Sequence, residues 1–380
     1  MATRRADGEG SYRQRSNGLW EASTRYTAAD GERKRLSVYG KTRAEARGKL
    51  NDARKRIAAG APPRDDKQTI GSWLESWRTT ALLASSRKAT TQELYANLCR
   101  KHLEGDAALA GLRLDQIRPT HVESLVLTLR GKGLSDSTVR QVYTVLRAAL
   151  DIAVRDGLLA SNPTAKVKRP AVAPKEARYL STEDVRRLLD QLDGLRYRLA
   201  VLLLAATGMR RGEVAGLRWS DVDLTKGELT VAGIVVRVAG ALEWTAPKTD
   251  RSRRRIPLTT GLIAELKKHR KTQITERLHA GDQWTDTGAV FATEDGGWLD
   301  PRNLLRTVEI AAGKAGIENV GAHTLRHSAA VGWLESGVHI KAAADLLGHA
   351  STSVTADLYG HTSDDAARAA VKGLGDALGL

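Results

Sequence analysis

His323-Thr324-Leu325-Arg326-His327, Leu347-Gly348-His349 and Asp357-Leu358-Tyr359-Gly360-His361 follow one another near the C-terminus. Few short segments bring imidazoles, a guanidinium and a phenol so close together. The i, i+3 spacing puts His323 and Arg326 on one helical face, where both can reach oxygens of a single phosphate. Gly348 reads as a helix C-cap, which leaves the His349 imidazole at the helix end. Tyr359 is expected on a short helix capped by Ser351 or Thr352. Singly, each residue has a bland reading: a lone histidine is usually structural and a tyrosine usually packs.

Working outward, Thr207-Gly-Met-Arg210-Arg211-Gly-Glu213 closes one apolar segment and opens the next helix. A helix start offers unpaired N–H groups and a favourable dipole to an anion, and Arg210 adds a bidentate clamp. Glu213, three residues on, can hold that guanidinium, although a plain surface ion pair has the same spacing. Leu199 to Ala206 is apolar almost all round and reads as a buried helix. Before it, Ser181-Thr-Glu-Asp184 is an N-cap signature with Val185, Leu188, Leu189 and Leu192 on one face. After it, Leu229–Val238, Leu242–Ala246 and Arg255–Leu258 predict one small antiparallel sheet with Lys248 in a turn. Helices resume at Gly261.

The chain of 380 residues has a formal net charge of +16 and a single cysteine, Cys99. Its length suggests two or three domains. Its charge points to a polyanionic partner, because neutralising phosphates releases counterions; a merely solvated basic surface is the alternative. One cysteine excludes an internal disulfide or Cys-rich metal site, in keeping with a reducing cytoplasm, and neither a signal peptide nor a membrane span is expected.

Residues 1–64 hold sixteen Lys or Arg against seven Asp or Glu, over half of the total excess. Strands are expected at Tyr12–Arg15, Leu19–Thr27 and Arg35–Val38, turning at Asn17-Gly18 and Asp30-Gly31. A capping box at Thr42–Glu45 opens a helix running toward Ala59. Arg13, Arg15, Arg25 and Arg33 lie on or near the strands and could grip phosphates or enter a major groove, unless the unit binds protein instead.

Ala61 to Asp66 reads as a proline-stiffened linker. Helical stripes then recur at Ile70/Trp73/Leu74/Trp77, Tyr95/Leu98/Cys99/His102, Val122/Leu125/Val126/Leu129 and Val139/Val142/Tyr143/Leu146. They predict a bundle of four amphipathic helices closed by Asn162-Pro163, with Arg87, Lys88, Lys132 and Arg140 facing outward toward DNA. Lys166 to Lys175 is a second linker.

Taken together, the motifs resemble the tyrosine recombinase (phage integrase) family, within it the integrases of temperate phages and integrative elements. Arg210 matches the arginine of the family's T-G-x-R-x-x-E box, and Lys248 the β-turn lysine before Ser252-Arg-Arg-Arg-Ile-Pro-Leu258. His323 and Arg326 match H-x-L-R-H, His349 matches L-G-H, and Tyr359 the nucleophile. The resemblance is specific over residues 175–362 and weaker upstream. It implies a multidomain, mainly α fold with small β-sheets. These would be an arm-site DNA-binding domain over 1–64, a helical core-site DNA-binding domain over 65–170, and a mixed α+β catalytic domain with a tail over 171–380.

The resemblance also implies roles. Tyr359 would attack phosphorus, giving a 3′-phosphotyrosine and a free 5′-hydroxyl. A phenol of pKa near ~10 needs a proton acceptor, for which His323 is the candidate. Arg210, Arg326 and His349 would bind the non-bridging oxygens, and Lys248 would protonate the leaving oxygen. No metal or nucleotide cofactor is expected. Expected partners are double-stranded DNA carrying core and arm sites, three further copies in a tetramer, and DNA-bending or directionality proteins. The tail from Thr362, with Ala366, Ala369, Ala370 and Leu374, would dock on a neighbouring copy. Alternatives are a chromosome-dimer resolvase of the same family, a type IB topoisomerase and a non-catalytic DNA-binding regulator.

Overall fold

A computed structural model describes residues 10–27, 32–58, 68–173, 177–246, 253–349, 351 and 372. Lys248, Tyr359, the turn at Asp30-Gly31, the first linker, the helix expected to carry Tyr359 and the tail from Thr362 lie outside them. The chain divides into two compact units, Met1–Pro174 and Lys175–Leu380.

The first unit begins with an antiparallel sheet of β1 (Ser11–Gln14), β2 (Trp20–Thr27) and β3 (Arg33–Gly40), in that order. Helix α1 (Arg43–Ala58) follows. Thr42 Oγ1 accepts from the Glu45 N–H at 3.1 Å, and Glu45 accepts from the Lys41 N–H at 2.8 Å, so the helix start is satisfied from both directions. Ala22 pairs with Val38, and Ala46, Leu50 and Ala53 repeat at helical spacing; these side chains interlock as one small core. By strand alternation, Arg13, Glu21, Ser23, Arg25, Arg33, Arg35 and Tyr39 belong to the opposite sheet face.

The bundle comprises α2 (Ile70–Thr79), α3 (Ala89–Leu98), α4 (Ala107–Ala110), α5 (Pro119–Gly131) and α6 (Asp136–Arg155). Ile70, Trp73, Leu74, Trp77, Val122, Leu125, Leu129, Val139, Val142, Tyr143 and Leu146 are buried, as their spacing predicts. The Tyr143 hydroxyl donates to Thr164 O at 2.7 Å, and Asn162 caps the turn at Pro163, so the closure is polar as well as apolar.

The second stripe departs from expectation. Residues Cys99–Glu104 form a π-helical turn after α3, so burial passes from Leu98 and Cys99 to Leu103, and His102 is only half-buried. A π turn advances contacts to i+5, which an i, i+4 template misses. Burial raises the Cys99 thiol, which donates to Glu104, so it is an inert core group.

The second unit has α7 (Thr182–Leu189), α8 (Arg198–Thr207) and α9 (Arg211–Ala215) before its strands. Ser181 caps α7 by accepting from the Asp184 N–H, and α8 is buried through Leu199, Ala200, Val201, Leu203 and Leu204. Strands β4 (Val222–Asp223), β5 (Glu228–Val231), β6 (Ile234–Val238), β7 (Ala241–Thr245) and β8 (Arg254–Pro257) do not make the single sheet expected. β4, β5 and β8 form one antiparallel sheet, and β6 and β7 form a separate hairpin. Ala232-Gly233 interrupts the β-rich run, and beyond it β7 pairs with β6 while β8 returns to β5. Helices α10 (Thr260–Ala280), α11 (Pro301–Lys314), α12 (Ala322–Glu335) and α13 (Ile340–Leu347) complete the unit. No helix among the described residues is long and apolar enough to cross a membrane.

Candidate active site

Two helix ends meet α12. Helix α8 stops at Gly208 (φ 60°) and α13 at Gly348 (φ 66°), both left-handed, a conformation glycine adopts without the penalty a Cβ brings. Such ends leave carbonyls unpaired and carry partial negative charge. Arg326, on α12 and only 4% exposed, answers both: Nη1 donates to Gly208 O at 2.6 Å and Nη2 to Leu347 O at 2.7 Å. Burial and the nearby Arg210 hold this guanidinium down at about 9.

Arg210 begins α9 in an extended conformation. Its backbone N–H donates to Glu213 Oε2 at 2.8 Å, Nη1 to Glu213 Oε1 at 2.9 Å, and Nη2 reaches Gly348 O at 3.4 Å. The Arg210 side chain is 39% exposed while Glu213 is 3% exposed, so the carboxylate is the buried anchor and the guanidinium the presented group. The surface-pair alternative therefore fails.

A residue that the sequence reading passed over completes the cluster. Arg254, first in β8, donates Nη1 and Nη2 to Glu213 at 3.2 and 2.8 Å, and its Nε donates to Leu346 O. Burial works against ionisation of Glu213, yet the paired Arg254 and the Arg210 N–H hold its carboxyl below the ordinary value. The only sequence signal was the run Arg253-Arg254-Arg255, in which strand alternation turns the middle residue inward.

His349 follows the α13 cap, its N–H donating to Ala344 O at 3.0 Å. Burial, then the charges of Arg326 and Arg210, push its imidazole down to about 4. His323 lies at the protein surface in the first turn of α12; partial desolvation, then Arg326, Arg211 and Arg210, lower it as well. Both rings are therefore neutral at neutral pH, able to accept a proton. The His327 ring stands edge-on to His323 at 6.4 Å between centroids, and its Nδ1 is buried with no hydrogen-bond partner.

Of the six residues singled out, the structure thus gathers Arg210, Arg326 and His349 at the end of α13, with the charges of Arg326 and Arg210 acting on the His323 ring, while Lys248 and Tyr359 are outside the described residues. The arrangement is a cationic recess with neutral bases at its rim, suited to an oxyanion.

Residues 178–366 match the phage integrase family. A tyrosine recombinase, XerC-like, from Caldanaerobacter subterraneus subsp. tengcongensis is 31% identical over 91% of this chain and 93% of its own length. The chain belongs to the tyrosine recombinase family. It is a site-specific recombinase. An integrase of Saccharopolyspora erythraea is 25% identical, with 95% of each chain covered. The Tn1549 transposon integrase, solved with circular intermediate DNA, has the same fold at TM-score 0.66 and 21% identity, covering 81% of the recombinase and all of that chain. The lambda integrase tetramer bound to a Holliday junction gives 0.59 at 20% identity, covering 95% and 99%.

The basic candidates outside the recess divide. Arg13 and Arg15 donate to Glu21 at 2.7 and 2.9 Å, and Arg35, which the sequence reading did not select, donates to Ser23 at 3.1 Å. Glu21 is 3% exposed; hydrogen bonds from Arg15 and Arg13 hold its carboxyl down at about 2. Arg25, Arg33, Arg87, Lys88 and Lys132 are exposed. Arg140, expected to face outward, is half-buried with its Nε sealed from solvent, because its aliphatic stem shares the packed face of α6.

Proposed function

We propose that the recombinase integrates or excises a mobile DNA element by cutting and rejoining strands through a covalent 3′-phosphotyrosine at Tyr359. The observation that carries this reading is the guanidinium of Arg210, exposed to an incoming phosphate yet held from behind by a buried carboxylate. Glu213 leaves Arg210 little reorganisation to undergo when a phosphate arrives, which is what preorganised transition-state stabilisation requires. Arg326 adds positive potential and the neutral His349 ring a hydrogen-bond donor on one side, and neutral His323 accepts the phenolic proton on the other. Lys248 protonates the departing 5′-oxygen.

Upstream, residues 65–170 hold the core site and residues 1–64 the arm sites, the latter through the arginines braced on Glu21. Phosphate contacts by Arg13, Arg15, Arg25 and Arg33, and by Arg87, Lys88 and Lys132 in the bundle, position the protein without reading sequence. Strand exchange runs within a tetramer on a four-way junction, the form in which the lambda enzyme was solved.

A second reading, resolution of chromosome dimers, draws on the 31% identity to the XerC-like relative. The excess positive charge of residues 1–64 favours integration. The test uses nicked duplexes tiled across the DNA flanking the coding sequence, with randomised nicked duplexes as an unbiased arm. An adduct resistant to denaturant, mapped to Tyr359 and lost in Tyr359→Phe, is expected. No adduct, or one on another residue, refutes the mechanism. Exchange only between identical sites would favour resolution.

A further inference from the structure

Three successive carbonyls at the end of α13 each receive a different arginine: Leu346 O from Arg254, Leu347 O from Arg326 and Gly348 O from Arg210. The three are not equivalent. Arg210 is 39% exposed, whereas the Arg254 side chain is 6% exposed, enclosed between Glu213 and the α13 end. A Cβ at Gly348 would stand 3.0 Å from Arg254 Nη1, so the helix end and this guanidinium are in contact.

We propose that Arg254 is a positioning residue for strand cleavage: by gripping Glu213 and Leu346 O together, it sets the separation between Arg210 and His349 without touching the phosphate itself. The proposal deepens the strand-cleavage reading and rests on it.

Three features support it. Arg254 uses both terminal nitrogens on the two oxygens of Glu213, which also takes the Arg210 N–H and Nη1. A carboxylate shared in this way leaves Arg210 only one side-chain nitrogen committed to it. Without Arg254, Glu213 would be buried beside a single cation and would draw Arg210 inward, away from Gly348 and from solvent. The Nε contact then fixes the last turn of α13, three residues before His349. Finally, Arg254 opens β8, which is registered on β5 through Val231, so the anchor point belongs to a sheet rather than a loop. Lys248 precedes it by six residues in the chain. Glycine at 348 completes the device by leaving room for the guanidinium.

The test compares Arg254→Lys and Arg254→Met with wild type, using the nicked duplex that yields the adduct. Lysine keeps the charge but cannot hold two carboxylate oxygens and a carbonyl at once. Arg254→Lys is expected to bind that duplex within about 3-fold of wild type and to form adduct about 100-fold more slowly, the scale of a small misplacement of reacting groups. His349, followed by imidazole NMR and assigned with His349→Gln, is expected to titrate well above about 4 in Arg254→Lys, because the ring is no longer held in its recess. A merely structural role would not separate rate from affinity in this way. Adduct formation near the wild-type rate overturns the proposal, as does an unshifted His349, or a parallel fall of rate, affinity and melting temperature. Should Arg254→Met not fold, Arg254→Lys decides. If wild type forms no adduct, the functional reading fails by itself; the His349 titration still tests the coupling between Arg254 and the α13 end.

Discussion

Replacing Arg326 with lysine separates two roles that one guanidinium combines. Arg326 spans Gly208 O and Leu347 O with different nitrogens, at 2.6 and 2.7 Å. One ammonium cannot serve two carbonyls approached from different helix ends. The substitution therefore removes one charge-assisted hydrogen bond and strands one buried carbonyl, together a loss of about 2–4 kcal/mol. For a unit of this size that lowers the melting temperature by roughly 5–15 °C. The environment that holds Arg326 down at about 9 acts on whatever cation stands there. A lysine in its place is therefore held below its ordinary value of ~10.4.

Signs follow by linkage. Between that lowered value and the unfolded value near ~10.4 the unfolded lysine binds a proton that the folded one does not, so the stability of Arg326→Lys rises with pH over that window. Its cleavage rate falls over the same window, because the positive potential that the buried cation adds to the site is lost. Wild type keeps its charge until about 9. The assay is single-turnover adduct formation from pH 6 to 9, with thermal denaturation at each pH. A variant whose rate profile parallels wild type, with an unchanged melting temperature, would show that Arg326 is not the buried bridge described here.

Other outcomes are expected. His349, depressed to about 4, should take up a proton when a phosphate enters, so DNA affinity should rise as pH falls from about 6.5 toward 4, and His349→Gln should flatten that slope in a fluorescence titration. Gly208→Ala places a Cβ at φ 60° and 2.9 Å from Leu347 Cδ2, and should cost about 1–3 kcal/mol in chemical denaturation. Glu213→Gln should leave Arg254 buried without its counter-charge, lowering stability by about 3–5 kcal/mol and abolishing adduct formation; retention of either would contradict the anchor role. Deleting residues 1–64 should preserve core-site cleavage, impair integration and reduce the salt slope of DNA binding in gel-shift titrations.

The motifs that name the family are local, and the sequence alone was enough for them. Short spacings such as His323-x-x-Arg326 and the glycine after Leu347 encode helix faces and helix ends, which depend on neighbours a few residues away. The apolar stripes of the bundle and the charge of residues 1–64 are legible for the same reason. Three features required the tertiary structure. The π turn at Cys99–Glu104 shifts burial to Leu103, because its hydrogen-bond geometry is chosen by packing against the rest of the bundle rather than by residue type. The pairing of β8 with β5 rather than with the β6–β7 hairpin is a long-range choice. Above all, Arg254 is one of three consecutive arginines; strand alternation turns it inward, but only the meeting of β8, α9 and α13 encloses it against Glu213. A charge acquires its function there from what surrounds it, and those surroundings come from segments distant in the chain.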